Sequence, residues 1–348
     1  MVNYALNPNL YIMTIKSLAK FAVVVAIGTA GTNVQAQSVK QSAKVGKGIY
    51  ELVYSEKANA VFVTSVGTKA IYKLDPKTLA ITDSISVEAA PAFGIGLNDK
   101  TQTLYTTNTR TNSVSAIDIK TKKVLNTIAA PGGKAHTREV VVDEDLNKIY
   151  ITDVGGGSKI WVIDGKTNAL DRVIENTGKS TTGIVLDKKA QKLYVTNMGS
   201  NQIGIVDIKQ NKLVDSIPTG GEGSTNLAFD AKNNRLFVAN QKSADVTVVD
   251  LNTRKVLQSI KTGAGALGIT FDAAKNKVFV ANRQAGTVTV IDANNFKVLA
   301  DLKTGTYPNT IVVDKKSGNA YVTNKAQSKR DDPKFVDNNG DTVSLIGL

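Results

Sequence analysis

The sequence predicts an all-β protein, a seven-bladed β-propeller of four-stranded blades whose last blade is closed by the N-terminal strand. Three observations predict it. One five-residue phrase recurs seven times at intervals of 42–45 residues. Each interval holds only short β-prone runs and turns. The strand missing from the last repeat reappears at the other end of the chain. A fixed period of this size marks one supersecondary unit stacked on copies of itself, and four short strands per period make a propeller blade.

The seven copies are Val61-Phe-Val-Thr-Ser65, Leu104-Tyr-Thr-Thr-Asn108, Ile149-Tyr-Ile-Thr-Asp153, Leu193-Tyr-Val-Thr-Asn197, Leu236-Phe-Val-Ala-Asn240, Val278-Phe-Val-Ala-Asn282 and Ala320-Tyr-Val-Thr-Asn324. The sixth repeat shows the unit. Gly268–Asp272 is a first strand and Ala273–Lys277 a polar turn. The phrase is a second strand. Thr287–Ile291 alternates Thr and Val as a third, and Lys297–Leu302 is a fourth. Alternation of β-branched residues between Asn, Asp and Gly is the strand signal. Third strands close on an aspartate at 75, 118, 164, 207, 250 and 292. Turn residues follow each at once, so these carboxylates are read as turn formers that accept backbone N–H bonds. In the seventh repeat Thr342–Ile346 is a third strand with no fourth behind it. Val39–Gly46 aligns with the fourth strand Val256–Gly263, so the N-terminal segment is expected to complete that blade.

Length alone allows more than one domain, but a single ring uses every repeat, so residues 37–348 are read as one domain. The 28 Gly and 6% aromatic content suit a turn-rich β protein, and Trp161 in a third strand is expected in the core between blades. Residues 1–36 read as a cleaved secretory signal: Lys16 and Lys20, the apolar run Phe21–Ile27, and Val34-Gln-Ala36 before the cut. Met13 is an alternative start, giving a signal of ordinary length. The apolar run is too short for a retained membrane span. Zero cysteines exclude disulfides, thiolate metal sites and cysteine nucleophiles, and in an exported chain they fit a bacterial periplasm.

The formal net charge is +13, and cleavage would remove two lysines and no acid. Such a balance suits an anionic partner. In a propeller, the loops entering first strands and leaving second strands share one face, here called upper. The turns between first and second and between third and fourth strands share the lower face. Lys188, Lys189, Lys192, Lys275, Lys277, Lys315 and Lys316, with Lys120, Lys122 and Lys123, recur at lower-face turns and read as a solvated surface. The upper face breaks the repeat. Just before first strands stand Tyr50 and Glu51, Phe93, His136 with Arg138 and Glu139, Asn226, and Tyr307 with Asn309. Loops after second strands add Arg110, Lys242, Arg283, Lys325, Lys329 and Arg330. Packing asks for the same residue in every blade and a ligand does not, so a site is expected here. The candidate ligand-binding set is Tyr50, Phe93, Arg110, His136, Arg138, Glu139, Asn226, Lys242, Arg283, Tyr307 and Asn309. Aromatics interleaved with cations suit single-stranded nucleic acid, through base stacking and phosphate neutralisation.

No catalytic set, metal site or cofactor is expected. His136 is the sole histidine, which restricts acid–base pairs and triads. Gly155-Gly-Gly157 lies between strands and opens no helix. The last blade carries an insertion, Lys325–Gly340. Its Asp337-x-Asn339-x-Asp341 has the oxygen spacing of a calcium loop start but lacks the following Gly and distal Glu, so a disordered or lid-like loop is the favoured reading over a calcium site.

Leu193-Tyr-Val-Thr-Asn197 and Ala320-Tyr-Val-Thr-Asn324 resemble the signature of the YVTN family of β-propeller repeats, and the resemblance extends over essentially all of residues 37–348. With the signal, the seven blades and the long last-blade loop, the chain is most similar to the secreted bacterial YncE group. The resemblance implies a periplasmic binding or scaffold protein, monomeric, with single-stranded DNA, another polyanion or a protein on a propeller face as partner. No individual binding residue follows from it. The alternative class is a propeller enzyme of lactonase or quinoprotein-dehydrogenase type, an analogy of fold only.

Overall fold

The computed structural model describes residues 37–347 apart from 156, 330 and 333. Residues 1–36, read from the sequence as a signal, together with Gly156 and Arg330 therefore lie outside the described residues. The described strands form seven four-stranded antiparallel sheets, with no helix among them. The innermost strands are Ile49–Ser55, Ile95–Asn98, Thr137–Asp143, Thr181–Asp187, Ser224–Asp230, Ala266–Asp272 and Pro308–Val313, for blades one to seven. Each touches the innermost strands of both neighbours, so the seven line one central channel. The repeated phrase occupies the second strand of every blade, from Ala60–Ser65 in blade one to Ala320–Asn324 in blade seven.

The ring closes as the repeat alignment requires. Ser38–Lys44 is the outermost strand of blade seven and pairs antiparallel with Thr342–Gly347, Val39 opposite Ile346 and Lys44 opposite Thr342. The Ser42 and Ser344 hydroxyls meet at 2.7 Å, and Val45 N–H donates to the Asp341 carbonyl at 2.9 Å.

The core is divided among the blade interfaces. Seven apolar clusters lie between successive sheets. Trp161 of blade three is fully buried against Tyr105 and Val114 of blade two, as expected for an inter-blade residue. At the closing interface Tyr321 and Val343 pack on Leu52 and Val63. Full burial of each such side chain contributes about 1.5–3 kcal/mol, so every interface depends on both its blades. The closing aspartates form their turns: Asp75 accepts from Lys77 N–H at 2.9 Å and Thr78 N–H at 2.8 Å, and Asp250 accepts from Thr253 N–H at 2.6 Å. Those bonds hold both carboxyls below the usual aspartate range.

The phrase also joins blade to blade. Its final Asn is buried and braces the third strand: Asn282 Nδ2 donates to the hydroxyls of Thr287 and Thr289 at 3.0 and 2.7 Å. Its Thr works across the interface. The Thr196 hydroxyl accepts from Gly183 N–H at 2.9 Å in its own first strand. It donates to the Thr225 carbonyl at 2.6 Å in the first strand of the next blade. Thr64 links Glu51 N–H to the Phe93 carbonyl, Thr152 links Glu139 N–H to the Thr182 carbonyl, and Thr323 links Thr310 N–H to the Tyr50 carbonyl. These threonines leave the regular ladder, and the first strand carries one extra residue there, a β-bulge.

The bulge corrects one expectation. Tyr50, Glu51, Arg138, Glu139, Asn226 and Asn309 do not precede the first strands but lie inside them, at their upper ends. An extra residue breaks the alternation of sides, so a period-of-two reading started these strands too late.

Two outcomes test this account. Deleting residues 37–46 removes the closing strand and exposes an edge, so thermal unfolding should shift sharply downward; an unchanged melting temperature would refute the pairing. Thr196→Val keeps the shape and strands the buried Gly183 N–H, while the Thr225 carbonyl keeps its bond from the Thr182 hydroxyl at 2.8 Å. Denaturant titration should find a loss of about 1–3 kcal/mol.

Candidate functional site

Aligning the seven blades, six of them at the bulge of the first strand and blade two just before Ile95–Asn98, gives two rings at the upper mouth of the channel. One runs Tyr50, Phe93, Arg138, Thr182, Thr225, Leu267, Asn309. The next, one residue deeper, runs Glu51, Gly94, Glu139, Gly183, Asn226, Gly268, Thr310. Large and small residues alternate in the deeper ring because the strands converge there. A Cβ on Gly94 would lie 2.6 Å from the Arg138 carbonyl and from the Thr107 hydroxyl. One on Gly183 would lie 2.6 Å from Asn226 Oδ1. Only glycine fits between such neighbours.

The rings enclose a cup of about 330 Å³. Of the sequence-derived set, Tyr50, Phe93, His136, Arg138, Glu139, Asn226, Arg283 and Asn309 line it. Arg110 and Tyr307 stand behind its wall, each paired with a residue that lines it. Lys242 is exposed and does not reach the cup. Sequence reasoning named Glu51 without counting it as a site residue, and missed Thr182, Thr225, Met198 and Gln241, which also line the cup. The register of the repeat would have found all four, since Thr182 and Thr225 occupy the ring position of Arg138 while Met198 and Gln241 each directly follow a phrase.

Two carboxylates form the floor. Glu51 is buried and accepts from Ile95 N–H at 3.2 Å. Burial raises its carboxyl well above the usual range, and the Glu139 charge adds to the rise. Glu139 accepts from Asn226 Nδ2 at 3.4 Å. Burial raises it too, against the pull of the Asn226 amide and the Arg138 guanidinium.

Cations stand around these acids. Arg138 is half-buried, and its Nε is buried with no hydrogen-bond partner among the described residues. Arg283 donates from Nη1 to Asn309 Oδ1 at 2.7 Å, and Asn309 Nδ2 donates to the Tyr50 carbonyl at 3.0 Å. Lys325 places Nζ 3.8 Å from the centre of the Tyr50 ring. Burial first, and the nearby Arg283 second, push its ammonium down to about 8. Arg110 lies 5.5 Å over Phe93 and Arg283 lies 5.5 Å over Tyr307, while Tyr50 and Phe93 meet edge to face at 5.2 Å. The rings therefore hold cations in place, at about 0.5–1 kcal/mol for each exposed pair. His136 is exposed at the rim. Desolvation and Arg138 lower its imidazole, which makes no hydrogen bond among the described residues; its backbone N–H donates to Asp153 Oδ1 at 2.7 Å.

The lower mouth differs. A cavity of about 680 Å³ there mixes Lys57, Lys100, Lys188 and Lys315 with Glu56, Asp99 and Glu144. Lys100 and Lys188 both pair with Asp145, Lys188 at 2.9 Å, and Lys316 approaches Glu56 at 3.8 Å. In and just after the last-blade insertion, Asp337 and Asp341 are engaged in hydrogen bonds. Asp337 accepts from Gln327, Asn339 and Gly340 N–H and from the Thr306 hydroxyl, and Asp341 accepts from Gly48 and Ile49 N–H.

The buried floor sets a pH dependence. The folded state holds the Glu51 proton to higher pH than the unfolded chain does, so this residue costs stability as pH rises above about 4.5. Glu51→Gln keeps the acceptor for Ile95 and removes the charge. Melting curves should coincide near pH 4 and separate toward neutral pH, with the variant more stable. A variant less stable than wild type at neutral pH would contradict the assignment.

The fold has counterparts among known proteins. A family model described as YNCE-like beta-propeller matches residues 158–332. The uncharacterized protein YncE of Salmonella typhi is 45% identical over 166 residues, 44% of this chain and 47% of that protein. YncE of Escherichia coli strain K12 is 40% identical over the same shares. The match thus spans about half the length of these curated relatives. Among solved structures, hydrazine synthase of Kuenenia stuttgartiensis superposes with a TM-score of 0.69 at 16% identity, over 80% of this chain and 92% of that one; this likeness is one of fold alone. With half of its length matched by the family model and its seven blades closed into a ring, the chain belongs to the YncE-like β-propeller family.

Proposed function

We propose that the protein is a non-enzymatic binding propeller, exported to the periplasm, whose upper-face cup takes a segment of an extended anionic ligand, single-stranded DNA being the member of that class it fits. One observation carries this reading. Arg138, Arg283 and Lys325 converge on one mouth, and none has an ion-pair partner within 4 Å among the described residues, whereas several lower-face lysines are matched by carboxylates. A phosphate would supply what the buried Arg138 Nε lacks. The aromatic rings support the cations first. Arg110, Lys325 and Arg283 lie against Phe93, Tyr50 and Tyr307, so a base stacks there only as those side chains swing onto phosphates.

The paired floor carboxylates favour a second reading. Two neighbouring acids whose carboxyls burial holds above the usual range are suited to acid–base work on a small ligand such as a lactone. Turnover of a lactone or ester, lost in Glu51→Gln while binding persists, would select that reading.

A salt titration with single- and double-stranded DNA tests the first. Affinity should fall with a log–log slope of about 0.7 per contacted phosphate on single strands. Arg138→Gln with Arg283→Gln should flatten the slope, and the quadruple change of Lys188, Lys189, Lys275 and Lys315 to Gln should not. Affinity should also drop as pH rises through about 8, where Lys325 loses its proton. An unaltered slope in the arginine double variant would move the site off this face.

A further inference from the structure

A second cavity, of about 520 Å³, opens over the junction of blades six and seven. Arg283 lines both it and the cup, and Tyr307 in its wall stands two residues from Asn309 in the cup wall. The two cavities thus share one guanidinium. No carboxylate lines the second, while Arg283 and the exposed Lys303 both do. Beneath it, the Thr304 hydroxyl is buried with no hydrogen-bond partner among the described residues.

Gln327 and Asn339, from the last-blade insertion, form the far wall. The insertion is fastened there. Thr306 N–H donates to the Asn339 carbonyl at 3.0 Å, and the Thr306 hydroxyl and Gln327 N–H converge on the Asp337 carboxylate at 3.0 and 2.9 Å. Other blades make the same connection in a few residues, so ring packing does not require this wall.

We infer that this groove is a second subsite for a single-stranded oligonucleotide that leaves the cup past Arg283, with Lys303 taking a further phosphate and Gln327 and the Thr304 hydroxyl bonding the sugar–phosphate chain. The inference rests on the nucleic-acid reading of the cup. Both cavities fall within the size of small-ligand pockets, about 300–1,000 Å³. A flexible strand can feed its units into such spaces one at a time, and a base-paired helix cannot. The absence of acids in the lining leaves the groove's two cations free to act on phosphate.

Fluorescence anisotropy with labelled oligothymidylates, from dinucleotides to about a dozen nucleotides, tests it. Wild-type affinity should rise with length until the groove is filled. The Lys303→Gln, Gln327→Ala double variant should bind the dinucleotide as wild type does and lose most of the gain on lengthening. Its salt slope on the long oligomer should fall by about 0.7, one phosphate contact. Asp337→Ala, which unfastens the insertion and alters no groove cation, should also flatten the length dependence while the melting temperature of the ring reports folding. A double variant with the wild-type length dependence overturns the subsite and leaves the cup reading standing. Wild-type protein that binds no oligonucleotide of any length overturns both. An anionic glycan captured in place of DNA, and lost in the same double variant, overturns the nucleic-acid assignment of the groove.

Discussion

A single threonine hydroxyl, repeated from blade to blade, ties the channel mouth together. In four blades it accepts a first-strand N–H from its own sheet and donates to a carbonyl in, or just before, the first strand of the next. The carbonyls held in this way belong to Phe93, Thr182, Thr225 and Tyr50, residues whose side chains line the cup. Backbone position is fixed from outside the site, by the preceding blade. The repeat then leaves the residue type at each ring position open, and the ring accommodates aromatic, cationic, aliphatic, hydroxyl and amide groups on one scaffold. Blade five carries Ala239 at the threonine position. There the Thr225 hydroxyl reaches the carbonyls of Ala239, Ala266 and Leu267 at 3.3–3.4 Å, a looser version of the same bridge.

The cup concentrates opposite charges without letting them cancel as simple ion pairs. Glu51 and Glu139 face each other's field at the narrow floor, and the raised carboxyls reflect the cost of that placement. Arg138, Arg283 and Lys325 are held higher, two of them against aromatic faces. A lysine shifted down to about 8 beside arginines is a group that gains from the arrival of an anion. Burial and like charge thus give the cup an electrostatic bias toward an anionic occupant.

How much of this was legible in the sequence follows from what repeats. The seven phrases, the closing aspartates and the displaced fourth strand recur in register, and each led to the correct blade element, including the pairing of the strand around Val39–Val45 with Thr342–Ile346. The upper mouth was found by the opposite criterion, departure from the repeat, which brought out Tyr50, Phe93, Arg138 and Asn309. That criterion could not see Thr182 or Thr225, because threonine looks unexceptional in any one strand. Nor could it order the mouth into two rings, since the bulge adds a residue that alternation does not register. The role of Lys325 was hidden for another reason. Its contact with Tyr50 spans 275 positions and depends on ring closure bringing blade seven beside blade one.

Closure also sets a schedule. Ser42 and Ser344, which meet in the last blade, are 302 residues apart. Until Thr342–Gly347 has been synthesised, the strand Ser38–Lys44 has no partner, and the sheets already made form an open arc with an unpaired edge at each end. Contacts of such long separation form slowly, because the loop entropy is lost before the pairing rewards it. Even so, every other blade can form from its own contiguous stretch of some forty residues. The ring is therefore expected to assemble locally and lock late, with blade seven as the last part to become resistant to proteolysis and the first to yield when the protein is stretched from its ends.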